Sequence, residues 1–106
     1  MEFTKGIEMT GWAVIFSKSA GKQYGKLSRS GSRPPINDAI DTLVIDLRKN
    51  GPHLLNWPNY GPLEEGHFHC HLRKGKPTYV ACWKVIDKQA KQIEVYYVGS
   101  HEGAPY

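Results

Sequence analysis

The fold is decided by His67-Phe68-His69-Cys70-His71-Leu72-Arg73, then Tyr79-Val80-Ala81-Cys82-Trp83-Lys84-Val85-Ile86-Asp87, then Gln92-Ile93-Glu94-Val95-Tyr96-Tyr97-Val98-Gly99. Each run is rich in β-branched and aromatic residues, and the short links Lys74-Gly75-Lys76 and Lys88-Gln89-Ala90 have the length and polarity of turns. The pattern predicts strands over 66–73, 78–86 and 92–99, joined as an antiparallel meander. Successive side chains of a strand point to opposite faces, so His67, His69 and His71 share one face while Phe68, Cys70 and Leu72 share the other. Three imidazoles on one sheet face of a basic chain point either to proton transfer or to a metal.

Working back towards the N-terminus, residues 12–16 (Trp-Ala-Val-Ile-Phe) read as a first strand, with Ser17 as the N-cap of a helix over 18–27. Gly21 and Gly25 weaken that helix, and in it Lys18, Lys22 and Lys26 fall four apart as one basic stripe. Residues 28–33 form a Gly/Ser/Arg-rich turn, and Pro34 and Pro35 suit a first helical turn. Ile36, Ala39, Ile40, Leu43, Val44 and Leu47 follow helical spacing. Arg48 and Lys49 suit the negative end of the helix dipole, and Gly51-Pro52 stops the helix. The segment from Pro52 to Gly66 is long for a loop. Its Trp57 and Tyr60 serve either to pack it down or to stack on bases, packing being the plainer expectation. Trp12, Phe16, Phe68 and Trp83 are expected in the core. Which face of the strand over 78–86 meets the helices is left open, because Trp83 and Lys84 pull the pattern both ways.

The 106 residues sit near the common size of one domain, and with 40% hydrophobic residues the composition is that of a chain that folds. We therefore expect a single domain over 1–106. Its apolar runs are too short to span a bilayer, and Glu2, Lys5 and Glu8 make the first ten residues unlike a signal peptide. Cys70 and Cys82 fall inside strands, as reduced core residues of a cytoplasmic protein would. The net charge of +4 is unevenly spread. Lys18, Lys22, Lys26, Arg29 and Arg33 precede a helix bearing Asp38, Asp41 and Asp46, and Arg73, Lys74, Lys76, Lys84, Lys88 and Lys91 follow it. Two basic zones divided by an acidic one fit a nucleic-acid binder with a separate protein partner, or ordinary solvated charge.

From Trp12 to Tyr106 the order β-α-α-β-β-β resembles the RelE/ParE superfamily of bacterial toxins from type II toxin–antitoxin systems. Phe68 to Arg73 is similar to the family's Y-x-x-x-L-R strand, and Trp83-Lys84-Val85-Ile86-Asp87 to its Y-x-V-I-D strand. Tyr97-Val98-Gly99-Ser100-His101-Glu102, with Tyr106 last, resembles its V-G-x-R-E…Y ending. The resemblance implies an α+β fold: a small antiparallel β-sheet with two N-terminal helices packed on one face and a basic, histidine-bearing face opposite. It also implies the activity of the RelE/HigB-like branch, messenger RNA endonucleases that cut on the ribosome and inhibit translation without a metal or cofactor. The implied partners are a cognate antitoxin, in a toxin–antitoxin hetero-oligomer, and the ribosome with its messenger RNA; no membrane is involved. Carried over by position, the site is His69, His71, His101 and Tyr106, and Arg73, suited to bidentate phosphate contact, is expected to join them. Lys18, Lys22, Lys26, Lys74 and Lys76 would hold RNA. The sequence departs from the family near the start of its third meander strand, where Val80 and its neighbours stand in place of an arginine.

The chemistry suits these residues. Metal-free RNA cleavage needs one group to take the ribose 2′ proton, another to protonate the 5′ leaving oxygen, and cations to stabilise the phosphorane. Histidine alone titrates near neutrality unperturbed. His69 and His71 lie about 6.6 Å apart along a strand, enough to reach two sides of one phosphate. His71 and His101 are the expected acid–base pair, in either assignment, with His69 and Arg73 stabilising charge. His67 and His53 are expected at the surface. A zinc site would use the same imidazoles, but the paired CxxC or CxxH spacing of structural zinc is missing. Two further readings remain: a ParE-like gyrase-inhibiting toxin, and a non-catalytic RNA-binding module.

Overall fold

The computed structural model describes residues 11–29, 36–73 and 77–106. The turn expected over 28–33 beyond Arg29, the prolines at 34 and 35, and the turn lysines Lys74 and Lys76 lie outside the described residues. The elements run β1 (Ala13–Phe16), α1 (Lys18–Ser28), α2 (Ile36–Asn50), β2 (Gly61–Pro62), β3 (His67–Arg73), β4 (Tyr79–Asp87) and β5 (Gln92–Ser100), closing with a 3-10 turn, His101–Gly103. None of the described helices is long and apolar enough to cross a membrane.

The two helices start and stop where local chemistry requires. The Ser17 hydroxyl accepts a hydrogen bond from Ala20 N at 3.1 Å, satisfying one of the donors a helix leaves orphaned at its start. At the end of α2, Gly51 takes φ = 82° and its N–H returns to Leu47 O at 2.9 Å. Ile36, Ile40, Leu43 and Leu47 are fully buried, one stripe of α2 facing the sheet. The helices are tied by Tyr24, whose hydroxyl donates to Asp41 Oδ1 at 2.7 Å, and by Asn37, whose Nδ2 donates to Tyr24 O at 3.1 Å. The bond to Asp41, then burial, raises the Tyr24 pKa above its ordinary value, so the clasp keeps its proton.

The sheet has five strands in the order β1-β5-β4-β3-β2. The meander β3-β4-β5 is antiparallel as expected. The sheet as a whole is mixed, because β1 lies parallel to β5, with Ala13 opposite Gln92 and Phe16 opposite Val95. Parallel neighbours need a long crossover, and the two helices with the rest of the meander provide it. Past Val95 no described strand flanks β5 on that side, and Gln23 Oε1 of α1 accepts from Val98 N at 3.1 Å. The loop after α2 is docked by its aromatics: Trp57 Nε1 donates to Asp46 Oδ2 at 2.8 Å, and the Tyr60 ring stacks on Phe68 and Trp83. It also contributes β2, which pairs Gly61 with His69.

The helix-side core takes Phe68, Cys70 and Leu72 from β3, Ala81 and Trp83 from β4, and Ile93, Val95 and Val98 from β5. That resolves β4: Trp83 faces the helices, its indole N–H donating to Pro52 O at 3.0 Å. Val80, Cys82 and Lys84 therefore share the histidine face, opposite His71, His69 and His67 respectively.

Candidate active site

β3 alternates without fault from His67 to Leu72, half-buried histidines on one face and buried apolar residues on the other. The register then slips. Tyr79 pairs with Arg73 although Val80 pairs with His71, leaving Leu72 as the extra residue. Arg73 accordingly follows Tyr79, whose ring packs against the helix-side core, and its guanidinium carbon lies 5.8 Å from that ring's centroid.

A second bulge shapes β5. Trp83 pairs with Val95 but Cys82 pairs with Tyr97, so Tyr96 is the inserted residue. The buried positions consequently step from Ile93 to Val95 to Val98, and both Tyr96 and Tyr97 are delivered to the histidine face. The Tyr96 ring meets the His67 ring edge-on at 5.6 Å. Tyr97 lies over Gly99, and its hydroxyl donates to Ser100 O at 2.7 Å.

That tyrosine seats the 3-10 turn. A Cβ at Gly99 would stand 2.8 Å from the Tyr97 hydroxyl and one at Gly103 would stand 2.9 Å from it, so both glycines are needed to admit the ring. His101 N donates to Thr78 O at 2.7 Å, anchoring the turn to the start of β4. The chain then folds back across the sheet.

The result is a chain of rings. The His71 and His101 centroids are 5.7 Å apart and edge-on; His101 is 5.9 Å from Tyr106, and Tyr106 is 4.7 Å from His69. Four of the five expected site residues are thus contiguous, and Arg73 stands at the strand end with Tyr79. His69 Nδ1 lies 2.9 Å from Gly61 O. A carbonyl only accepts, so Nδ1 carries the proton and Nε2 is the ring's open base in the neutral form. His67 is held likewise, Nδ1 donating to Glu65 O at 3.0 Å while Nε2 stands 3.7 Å from the Glu64 carboxylate. His53 lies with the loop instead, 3.0 Å from the Tyr60 hydroxyl and edge-on to Phe68.

The floor of this face is apolar. Val80 and Cys82 are fully buried beneath it. Burial pushes the Cys82 thiol up to about 12, and Cys70 on the helix side equally, with the neighbouring Cys82 adding to that shift. Burial likewise raises the Tyr96 phenol to about 12, and Tyr97 and Tyr106 also lie above their ordinary value. Tyr106 is therefore neutral at physiological pH, with a hydroxyl hydrogen to offer to a hydrogen bond. Among the described residues no group of three or more His, Cys, Asp and Glu could hold a metal ion. The exposed Lys18, Lys22 and Lys26 ride on α1, across the sheet from the histidines. Sequence reasoning passed over Tyr96, Tyr97, Cys82 and Glu64. The two tyrosines had a readable sign in the 93, 95, 98 spacing of apolar residues, whose phase slips by one.

No protein-family model and no curated protein matches the sequence. Solved structures do. A YoeB/ParE toxin from Agrobacterium tumefaciens superposes with TM-score 0.66 at 14% identity, covering 84% of this chain and 98% of that one. A metal-bound toxin from Helicobacter pylori gives TM-score 0.65 at 20% identity, over 86% and 96%. The YoeB–YefM complex from Staphylococcus aureus gives 0.63 at 16%, over 85% and 97%. The fold is that of the YoeB/ParE-type toxins, as the RelE/ParE resemblance implied.

Proposed function

We propose that this protein is the toxin of a type II toxin–antitoxin pair and cleaves messenger RNA on the ribosome by attack of the ribose 2′-OH. The observation that carries the reading is the contiguous ring cluster of His71, His101, Tyr106 and His69 on the sheet face away from the helices. Imidazoles with centroids 5.7 Å apart can flank one phosphate, each at a hydrogen bond of about 2.8 Å. One accepts the 2′ proton as the oxygen attacks phosphorus; the other donates to the departing 5′ oxygen. The products are a 2′,3′-cyclic phosphate and a 5′-hydroxyl.

His69 has its tautomer set by Gly61 O, and in its charged form it places an Nε2–H against the phosphorane. Tyr106, kept protonated, donates a hydrogen bond to the same oxygens or stacks on a base. Arg73, turned towards Tyr79, serves the flanking backbone rather than the scissile phosphate. Lys18, Lys22 and Lys26 lie on the other side of the sheet and would meet ribosomal RNA, not the cleaved strand. A cognate antitoxin, by analogy with the YoeB–YefM complex, would cover the histidine face.

Primer extension on a translated messenger RNA, with and without ribosomes, tests the reading. Codon-phased cuts only with ribosomes are expected, and His71→Ala or His101→Ala should slow them about 10²- to 10⁴-fold while RNA affinity changes little. No cuts from folded protein, or equal loss of affinity and cleavage in the variants, would refute it. Inhibited DNA supercoiling would install the gyrase reading instead.

A further inference from the structure

Beside the ring cluster lies a cavity of about 280 Å³ lined by Leu63, Glu64, Tyr96, Pro105 and Tyr106. One wall is the tip of the β2–β3 hairpin, where Leu63 N donates to His67 O at 2.9 Å and Gly66 turns the chain at φ = 77°. The other wall is the returning C-terminal segment. Tyr106 belongs to both places: it lines the cavity and packs its ring 4.7 Å from His69. Anything held in the cavity is therefore one ring's width from the proposed cleavage site.

The lining has a definite chemistry. Two phenol rings and two aliphatic side chains suit a flat aromatic plate, and single-stranded RNA is read by stacking its bases on such rings and bonding their edges. The one charged wall is Glu64, an acceptor of hydrogen bonds only. Adenine and cytosine each set an acceptor nitrogen beside their amino group, and uracil flanks its N–H with two carbonyls. A carboxylate therefore accepts at most one hydrogen bond from each of these edges, with an acceptor atom beside it. Guanine presents N1–H and N2–H side by side, a match for two carboxylate oxygens.

We infer that this cavity is a guanine-reading pocket, in which Tyr96 and Tyr106 hold the base of the bound RNA and Glu64 selects it. The inference rests on the histidine face being an RNA-cleaving site, which orients the base through its ribose towards His69.

The test is an NMR titration of the isolated protein with the 3′- and 5′-monophosphates of all four nucleosides, the phosphate being common so that differences report the base. Guanine nucleotides should shift the signals of Leu63, Glu64, Tyr96 and Tyr106 and bind about tenfold tighter than the others. Glu64→Gln should abolish that advantage in a spectrum that stays dispersed. Equal affinity for four bases, an advantage that survives Glu64→Gln, or no shifts at these residues would overturn the inference. So would tighter binding of N-acetyl-argininamide, since a basic side chain of a protein partner could satisfy the same carboxylate and rings. Ribosome-dependent cleavage is scored separately. Guanine binding without cleavage sinks the nuclease reading and leaves the pocket. Cleavage whose base preference is untouched by Glu64→Gln sinks the pocket and leaves the nuclease.

Discussion

Replacing Gly99 by alanine tests how the site is seated. The added methyl would lie 2.8 Å from the Tyr97 hydroxyl and 3.0 Å from its Cζ, so the ring must move by several tenths of an ångström. The space open to it lies towards the 3-10 turn, where Gly103 has no side chain; a Cβ there would stand 2.9 Å from the same hydroxyl. Moving the ring breaks the 2.7 Å bond to Ser100 O, a loss of about 1 kcal/mol. The residual overpacking adds about 1 kcal/mol, at the low end because the tip of one side chain gives way rather than backbone. The expected cost is about 2 kcal/mol, a fall in Tm of roughly 8 °C or more in a chain of this size. Tyr97→Phe should cost about 1 kcal/mol. The double variant should cost less than the sum, by about the 1 kcal/mol counted twice. Thermal and urea melts of the four proteins measure this. Additive costs, or a Gly99→Ala protein as stable as the parent, would refute the claim that Tyr97 is wedged between the two glycines. Because Tyr97 bonds to Ser100, next to His101, Gly99→Ala should also lower cleavage more than its stability loss explains.

Gly51→Ala should destabilise by about 2 kcal/mol, since φ = 82° costs about 1–2 kcal/mol without glycine and the methyl would stand 2.9 Å from Trp12 Nε1; urea midpoints check it, and an unchanged midpoint counts against the packing. Alkaline stability follows from the raised acids. Cys70, Cys82 and Tyr96 all have folded pKa values near 12 against ordinary values of 9.0 and 10.0, so their neutral forms favour folding below about pH 9–10 and that contribution is lost as pH rises towards 12. Melts across that range should steepen downwards and Tyr96→Phe should soften the fall; a flat profile would contradict the buried phenol. Native Cys82 should resist thiol reagents at about pH 8 until the protein unfolds, because the thiolate is the nucleophile; rapid labelling of folded protein would contradict it. Reversing Lys18, Lys22 and Lys26 to glutamate should weaken ribosome binding and flatten its salt dependence without altering the fold, and unchanged affinity would remove that stripe from the interface.

Placing Arg73 beside Tyr79 bears on the missing arginine of β4. With Val80 in the floor and Arg73 beside Tyr79, the cation the described residues set on the histidine face is Lys84, whose Nζ is 3.6 Å from Glu94 and 5.8 Å from the Tyr96 centroid.

Near-neighbour physics was legible in the chain. Two-residue alternation placed His67, His69 and His71 on one face, since a strand leaves a side chain no other choice. The stripe of Ile36, Ile40, Leu43 and Leu47, the Ser17 cap and the Gly51 stop are equally local. The tertiary structure decided what depends on a distant partner. β1 lies parallel to β5 across a connection of two helices and the rest of the meander, and the four residues of β1 carry no mark of that. The bulges at Leu72 and Tyr96 arise from register against neighbouring strands; they turn Arg73 out of the histidine row and bring two tyrosines into it. Trp83 faces the helix side, where it is fully buried in the core and Pro52 O accepts its N–H. Glu64 joined the site only when the C-terminal segment folded back to set Tyr106 against His69, a contact between residues 37 positions apart in sequence.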